Sequence, residues 1–250
     1  VSGNEIPMVS VIIPCYNSAN YVEQAIKSVL KQNISKEIIL IDDHSNDNLL
    51  DVLMKYINDK KIVYIKNSET IGVAGTRNIG IDLAKGKYIA FLDADDWWDE
   101  NKLEQQVKHL EHNNGVLCCT GRELYSDEGI KLNKYIGVQP VITYQMLLKN
   151  NSIACSSVLL LTEVAREFYM THDEYHEDYL MWLNILKKYS NAFGLDKPML
   201  KYRLSKNGKS RNKFKSMKMT YGVYRTMKIK PIRRVYYLLQ YIKNGLIKYK

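Results

Sequence analysis

The chain has 250 residues, 46% of them hydrophobic, with 36 Lys and Arg against 27 Asp and Glu for a formal charge of +9. That size and apolar content support one large α/β domain with an appendage and exclude a disordered chain. No stretch approaches the ~18 uninterrupted apolar residues of a transmembrane helix, and no basic segment followed by an apolar one opens the chain, so a cytosolic protein is expected.

The average charge hides an asymmetry. Residues 201–250 hold 16 Lys and Arg and no Asp or Glu, whereas residues 1–200 hold 20 against 27, so the two parts carry +16 and −7. The four cysteines, Cys15, Cys118, Cys119 and Cys155, lack zinc-ribbon spacing, and an adjacent pair does not suit a disulfide framework. Reduced, core thiols are expected, in keeping with the cytosol.

Met8-Val-Ser-Val-Ile-Ile13 is a β-branched run that Pro14 stops, and it predicts a first strand. Asn20 can cap a helix with Glu23 reaching back, after which Tyr21, Val22, Ala25, Ile26, Val29 and Leu30 recur at helical spacing. Glu37–Ile41 predicts a second strand running into Asp42-Asp43-His44-Ser45, and Leu49, Leu50, Leu53, Met54 and Ile57 mark the next helix. Ile62–Ile65 reads as a third strand, Asn67–Gly72 as a loop, and Val73–Lys85 as a helix despite Gly75 and Gly80.

Tyr88-Ile-Ala-Phe-Leu92 predicts a fourth strand, buried on both faces and followed by Asp93, Asp95 and Asp96. A helix over Lys102–Asn113, a strand over Val116–Thr120, a polar excursion over 122–134 with a turn at Asp127-Glu-Gly129, and a short helix capped by Thr143 come next. Ser157–Leu161 reads as a last buried strand, and His172–Asp178 opens a helix carrying Tyr179, Leu180, Trp182, Leu183, Ile185 and Leu186. Strands and helices alternating at this rhythm predict a mostly parallel, doubly wound sheet flanked by helices.

Ligands of such sheets bind beyond the carboxyl ends of the strands. Four polar strand ends fall there: Pro14–Asn17, Asp42–Ser45, Asn67–Thr70 and Asp93–Asp96. No Gly-x-Gly-x-x-Gly follows the first strand and no Gly-x-x-x-x-Gly-Lys-Ser/Thr loop exists, which disfavours dinucleotide and P-loop enzymes. Three carboxylates with no neighbouring cation must face water or hold a metal, and Asp-x-Asp offers hard oxygens to Mg²⁺ or Mn²⁺ shared with a diphosphate. An Asp-rich loop capping the helix near Asp99 is the plainer alternative. Glu177 and Asp178 likewise suit ordinary helix capping. His172 and His176 have zinc-like spacing but no third ligand nearby.

Taken in order, Val9-Ser-Val-Ile-Ile-Pro-Cys-Tyr-Asn17, Ile41–Ser45, Gly75-Thr-Arg-Asn78, Gly86–Asp96 and Glu177-Asp178 with Trp182 resemble the family 2 glycosyltransferases of bacterial surface polysaccharide biosynthesis. The match spans roughly residues 8–205. The resemblance implies a GT-A-like fold and inverting transfer from a nucleotide sugar, UDP-linked, to a glycan or lipid-linked glycan hydroxyl. It assigns Pro14, Tyr16, Asn17 and Asp43, with Asp42 beside it, to the nucleoside, and Arg77 to the base or diphosphate. Asp93 falls on the ribose or sugar, Asp95 with Asp93 on Mn²⁺ or Mg²⁺, and Asp178, with Glu177 as understudy, on the catalytic base. Cys15 and His44 depart from the pattern without touching this chemistry. A metal-dependent nucleotidyl or phosphoryl transferase and a non-catalytic sugar-nucleotide-binding protein are the rivals.

Residues 1–205 are thus expected to form the catalytic domain and 206–250 a basic helical extension. Ser205–Asn212 reads as a loop. Pro231 can start a helix in which Ile232, Val235, Tyr236, Leu239, Ile242 and Leu246 recur, with Arg233, Arg234, Lys243 and Lys248 elsewhere. A basic amphipathic helix suits an anionic membrane, which predicts peripheral attachment through residues 216–250 on the cytosolic face of the inner membrane. Packing of the stripe back onto the domain is the alternative, and no motif supports nucleic-acid binding. Oligomeric state is not encoded in these features.

Overall fold

The computed structural model describes residues 6–205 and 213–248. Of the loop expected over 205–212, residues 206–212 lie outside the described residues, as does the side chain of Leu246. Strand β1 (Val9–Cys15), helix α1 (Val22–Leu30), β2 (Lys36–Asp42), α2 (Leu49–Asn58), β3 (Val63–Lys66), α3 (Gly72–Leu83) and β4 (Tyr88–Phe91) alternate as expected. Next come β5 (Trp97–Trp98), α4 (Lys102–Asn113), β6 (Leu117–Tyr125), β7 (Lys131–Ile136), β8 (Val141–Thr143) and α5 (Tyr144–Lys149). A 3₁₀ turn over Cys155–Ser157 leads to β9 (Leu159–Leu161), α6 (Thr162–Glu167), α7 (Glu177–Tyr189), β10 (Asn191–Arg203), α8 (Lys213–Thr226) and α9 (Pro231–Lys248).

One sheet runs β3-β2-β1-β4-β9-β6-β10-β5, with β7 beside β6 and β8 beside β10. Its first four strands are parallel. Beyond β4 the sheet is mixed, because β9 lies antiparallel to both β4 and β6 while β10 is parallel to β6. The α/β architecture is therefore as expected, but an all-parallel run is limited to β3-β2-β1-β4, and beyond it only β6 and β10 pair in parallel. Alternation along β1 divides the core: Ile12 joins Ile39, Phe91 and Trp182 on one face, whereas Val11 and Ile13 join Val29, Leu40 and Leu53 on the other. Gly80 lets α3 lie close on β1, since a Cβ there would stand 2.5 Å from Ile12 Cγ2.

Several local expectations are corrected. Residues 122–134 are not a polar excursion, for β6 continues to Tyr125 and forms a hairpin with β7; the turn itself holds, with Ser126 N donating to Ile130 O. The box at α1 does not form: Tyr21 occupies the cap position, and Glu23 faces Lys55, Lys27 and Tyr56. Thr143 does cap α5, accepting from Met146 N. Strand β10 escaped the pattern because its two paired stretches are broken by a register shift between Leu195 and Leu200 that contains Pro198.

The tail folds back. Val223, Tyr224 and Tyr237 join the same core as Trp182, and the Tyr224 hydroxyl donates to Leu148 O at 2.7 Å. Only one face of α9 packs inward, and Ile232, Val235, Tyr236 and Leu239 remain exposed.

Candidate active site

At the end of β1, Asn17 turns the chain with φ 48°, a conformation Asn tolerates better than branched residues. Its amide donates to Ser45 Oγ (3.0 Å), and its Oδ1 accepts from Asn46 N (2.9 Å). The neighbouring Tyr16 ring is 54% exposed, beside half-buried Pro14. Asp42 and Asp43, at the end of β2, are both buried. Asp42 accepts from Ser45 N (2.7 Å) and the Tyr64 hydroxyl (2.8 Å). Asp43 accepts from Ile71 N, Gly72 N and Asn67 Nδ2, each at 2.9 Å. Asp43 therefore ties the end of β2 to the start of α3, and Asp42 ties it to β3.

The first turn of α3 also donates Ala74 N to Asp173 Oδ1 (2.9 Å). Two carboxylates thus satisfy amides that a helix start leaves open. Gly72 is required between them: it has φ +86°, and a Cβ would fall 1.8 Å from Asp173 Oδ2.

Arg77, one turn further along α3, joins the two sides of the hollow. It is 4% exposed, with Nη2 donating to Asp93 Oδ1 (2.6 Å) and Nη1 to Glu177 Oε1 (2.8 Å). This corrects two expectations. Asp93 does have a cation, contributed from another element, and Arg77 is not a lone cation facing the hollow. Burial of a guanidinium between two carboxylates is a cross-link whose rupture would strand charge.

Past β4, the Asp93 amide donates to Ser156 Oγ (3.0 Å), and Asp93 and Asp95 remain only half-buried. Burial and then the neighbouring Asp93 push the Asp95 carboxyl up to about 6. Asp96 does not face water as its charge suggested. It is buried, accepts from Arg203 N (2.9 Å), and burial drives its carboxyl well up, toward the neutral form. Arg203 fastens the segment, donating from Nε to Asp95 O (2.8 Å), Nη1 to Asp127 O (2.6 Å) and Nη2 to Gln24 Oε1 (2.6 Å).

At the start of α7, Glu177 is buried on Arg77, while Asp178 is half-buried and accepts from Tyr179 N (2.7 Å). Burial, and then the Glu177 charge, raise the Asp178 carboxyl to about 7; Asp93 adds to the same shift. Asp93 thus adds to the upward shift of both Asp95 and Asp178.

His172 faces Glu174 and His176 faces Ser216, so the histidines form no pair. All four cysteines are buried, and none is in a disulfide. Trp98 and Trp182 are core residues, while Trp97 is half-buried against Tyr125. Among the described residues no group of three or more His, Cys, Asp or Glu could hold a metal. Asp95 and Asp93 nevertheless offer hard carboxylate oxygens of the kind a divalent ion takes, and the burial and Asp93 charge that raise Asp95 are what such an ion would relieve. Asp173, Ser156 and Arg203 had no signal in the sequence: two lie in loops without periodicity and one in the strand that was missed. The arrangement sets the half-buried carboxylates of Asp93 and Asp95 just past β4 and that of Asp178 at the start of α7.

Residues 10–163 match the family described as Glycosyl transferase family 2. The chain is 37% identical over 244 residues to the UDP-Glc:alpha-D-GlcNAc-diphosphoundecaprenol beta-1,3-glucosyltransferase WfgD of Escherichia coli, covering 97% of this chain and 95% of that protein. Its fold is similar to S. aureus TarS 1-349 in complex with UDP-GlcNAc, with TM-score 0.70, 16% identity, and 94% and 71% of the two chains covered. It is also similar to the mannosyltransferase PcManGT from Pyrobaculum calidifontis in complex with GDP-Man and Mn²⁺, with TM-score 0.70, 16% identity, and 91% and 66% covered.

Proposed function

The chain belongs to glycosyl transferase family 2, and from that premise we propose that it moves a sugar from a UDP-sugar to a hydroxyl of a lipid-linked surface glycan, with inversion at the anomeric carbon. The observation that carries this reading is the Arg77 bridge from Asp93 to Glu177, which joins the acidic strand end to the helix start bearing Asp178. The 37% identity to WfgD, whose acceptor is a diphosphoundecaprenol-linked sugar, supports the choice of donor and acceptor class.

Asp178 is the base. It takes the proton of the acceptor hydroxyl as that oxygen bonds to the anomeric carbon, and the bond from that carbon to the diphosphate breaks with its electrons leaving on the nucleoside diphosphate. One displacement inverts configuration, so no nucleophilic cysteine is called for, and Glu177 is held off by Arg77. Pro14, Tyr16 and Asn17 line the nucleoside end, backed by Asp42 and Asp43. Arg77 acts by positioning Asp93 rather than by touching the diphosphate. Asp95 and Asp93 would hold Mn²⁺ or Mg²⁺, which when bound offsets charge on the leaving diphosphate. Residues 1–205 carry the chemistry, and residues 206–250 attach the enzyme peripherally to the cytosolic membrane face. No helix among the described residues is long and apolar enough to cross a membrane.

A thermal-shift panel of nucleotide sugars with and without Mn²⁺ tests the reading, since a ligand that binds only the native state raises its melting temperature. A UDP-sugar should raise Tm only with Mn²⁺, and Asp95→Asn should abolish the response. A shift of equal size in chelator, or none with any nucleotide sugar, would refute it.

A further inference from the structure

Helix α9 is apolar on two sides. Tyr237 and Leu238 face inward, with the Tyr237 hydroxyl donating to Gln145 Oε1 (2.9 Å) and Asn244 Nδ2 to Lys149 O (3.0 Å). The outward stripe of Ile232, Val235, Tyr236 and Leu239 follows i, i+3, i+4, i+7 spacing and stays exposed, Ile232 at 87% and Leu239 at 62%, with the Tyr236 ring against Tyr237 of the same helix. At the head of this stripe, the corner between α8 and α9 forms an open, shallow pocket of about 210 Å³. Lys228, Lys230 and Arg233 line it together with Tyr144, Gln145 and Tyr237. The three cations are exposed, and none forms an ion pair among the described residues.

We propose that this corner and stripe are one lipid-docking surface, in which anionic phospholipid headgroups seat their phosphates on Lys228, Lys230 and Arg233 while Ile232, Val235, Tyr236 and Leu239 enter the acyl boundary. Charge selects the occupant. The last 50 residues carry 16 Lys and Arg and no acid, so a second copy meeting through this face would oppose cation to cation. An anionic leaflet complements it and repels the acidic remainder, which orients the molecule on approach. The surface is also linked to the reaction. Helix α8 lies against the segment preceding the base, with His176 Nε2 3.2 Å from Ser216 O and Tyr175 packed on Gly222. The docking surface and the start of α7 therefore meet through α8. This extends the reading of the chain as an enzyme acting on lipid-linked acceptors.

Co-sedimentation of the full chain with vesicles of phosphatidylcholine alone, or mixed with phosphatidylglycerol, tests it. Binding is expected to the mixed vesicles only. Each cation near an anionic surface contributes roughly fivefold to partitioning, so Lys228→Gln/Lys230→Gln/Arg233→Gln should weaken binding about a hundredfold. Ile232→Ser/Val235→Ser/Leu239→Ser should also release the protein, and both variants should keep soluble UDP-sugar hydrolysis. Inorganic phosphate should not displace the protein beyond the effect of chloride at equal ionic strength. Displacement by phosphate, equal binding to neutral vesicles, unchanged binding of either variant, or a lipid-free dimer dissolved by the serine substitutions would each overturn the proposal. Hydrolysis without vesicle binding would sink the docking surface alone, whereas vesicle binding without turnover of any nucleotide sugar would sink the enzymatic reading and leave the surface standing.

Discussion

A general base is most useful when its proton affinity lies close to the working pH. Asp178 meets that condition because burial and Glu177 hold its carboxyl at about 7. Below that pH it is protonated and cannot accept from the acceptor hydroxyl, so kcat/KM should rise with pH and level off above about 8. Asp178→Asn should lower turnover by about 10²–10⁴-fold, the usual size of a lost proton transfer. The same shift has a cost in the fold. The folded value lies above the ordinary 3.8, so the folded state holds a proton that the unfolded chain releases, and stability is lost as pH rises from about 4 through 7. The inactive Asp178→Asn variant should therefore melt higher than the parent at pH 8 and alike near pH 4, read by circular dichroism. A lower Tm for the variant at pH 8 would count against a strained carboxylate at this position.

Elements meet at the start of α3, where Asp43 from the end of β2 and Asp173 from the loop before α7 share the first amides. Gly72→Ala would need φ +86° with a side chain and would push Asp173 aside. A left-handed residue costs about 1–2 kcal/mol and a lost cap about 0.5–2 kcal/mol, so the substitution should destabilise by roughly 2–4 kcal/mol. For a chain of this length that corresponds to a fall in Tm of roughly 4–16 °C. Gly75→Ala is the control. Its added methyl would meet only the Ile71 side chain, Cδ1 at 3.0 Å, Cγ1 at 3.2 Å and Cβ at 3.6 Å, and should leave Tm unchanged or slightly higher. This junction also marks what the sequence could and could not reveal. Apolar runs with a stop, such as Val9–Ile13 before Pro14 and Tyr88–Leu92 before Asp93, placed parallel strands β1 and β4 correctly. Partnerships between distant residues left no local trace: Arg77 lies 16 residues from Asp93 and 100 from Glu177. Nothing in the pattern distinguished Asp173 from any other loop carboxylate, and Pro198 disguised β10 as a break.

At the scale of the whole molecule, the basic extension is chemically distinct from the rest yet physically continuous with it. Composition suggested an appendage, whereas α8 delivers Val223 and Tyr224 into the main core, and α9 adds Tyr237. Tyr224 packs edge-on against Tyr179 of α7, one residue beyond Asp178. Burying a large apolar side chain contributes about 1.5–3 kcal/mol, so these three residues together contribute an amount comparable with the 5–15 kcal/mol that separates a folded chain from its unfolded ensemble. A chain ended at residue 205 should therefore lose more than its membrane affinity. It should expose Tyr179 and the α5 surface, bind a hydrophobic dye, and show reduced hydrolysis of UDP-sugar because the start of α7 is no longer clamped. The full chain should unfold in urea as one transition, with tryptophan fluorescence and far-ultraviolet circular dichroism coincident, since Trp182 and the extension share a core. Two separated transitions, with the truncated chain retaining full hydrolysis, would show instead that the extension is an independent module.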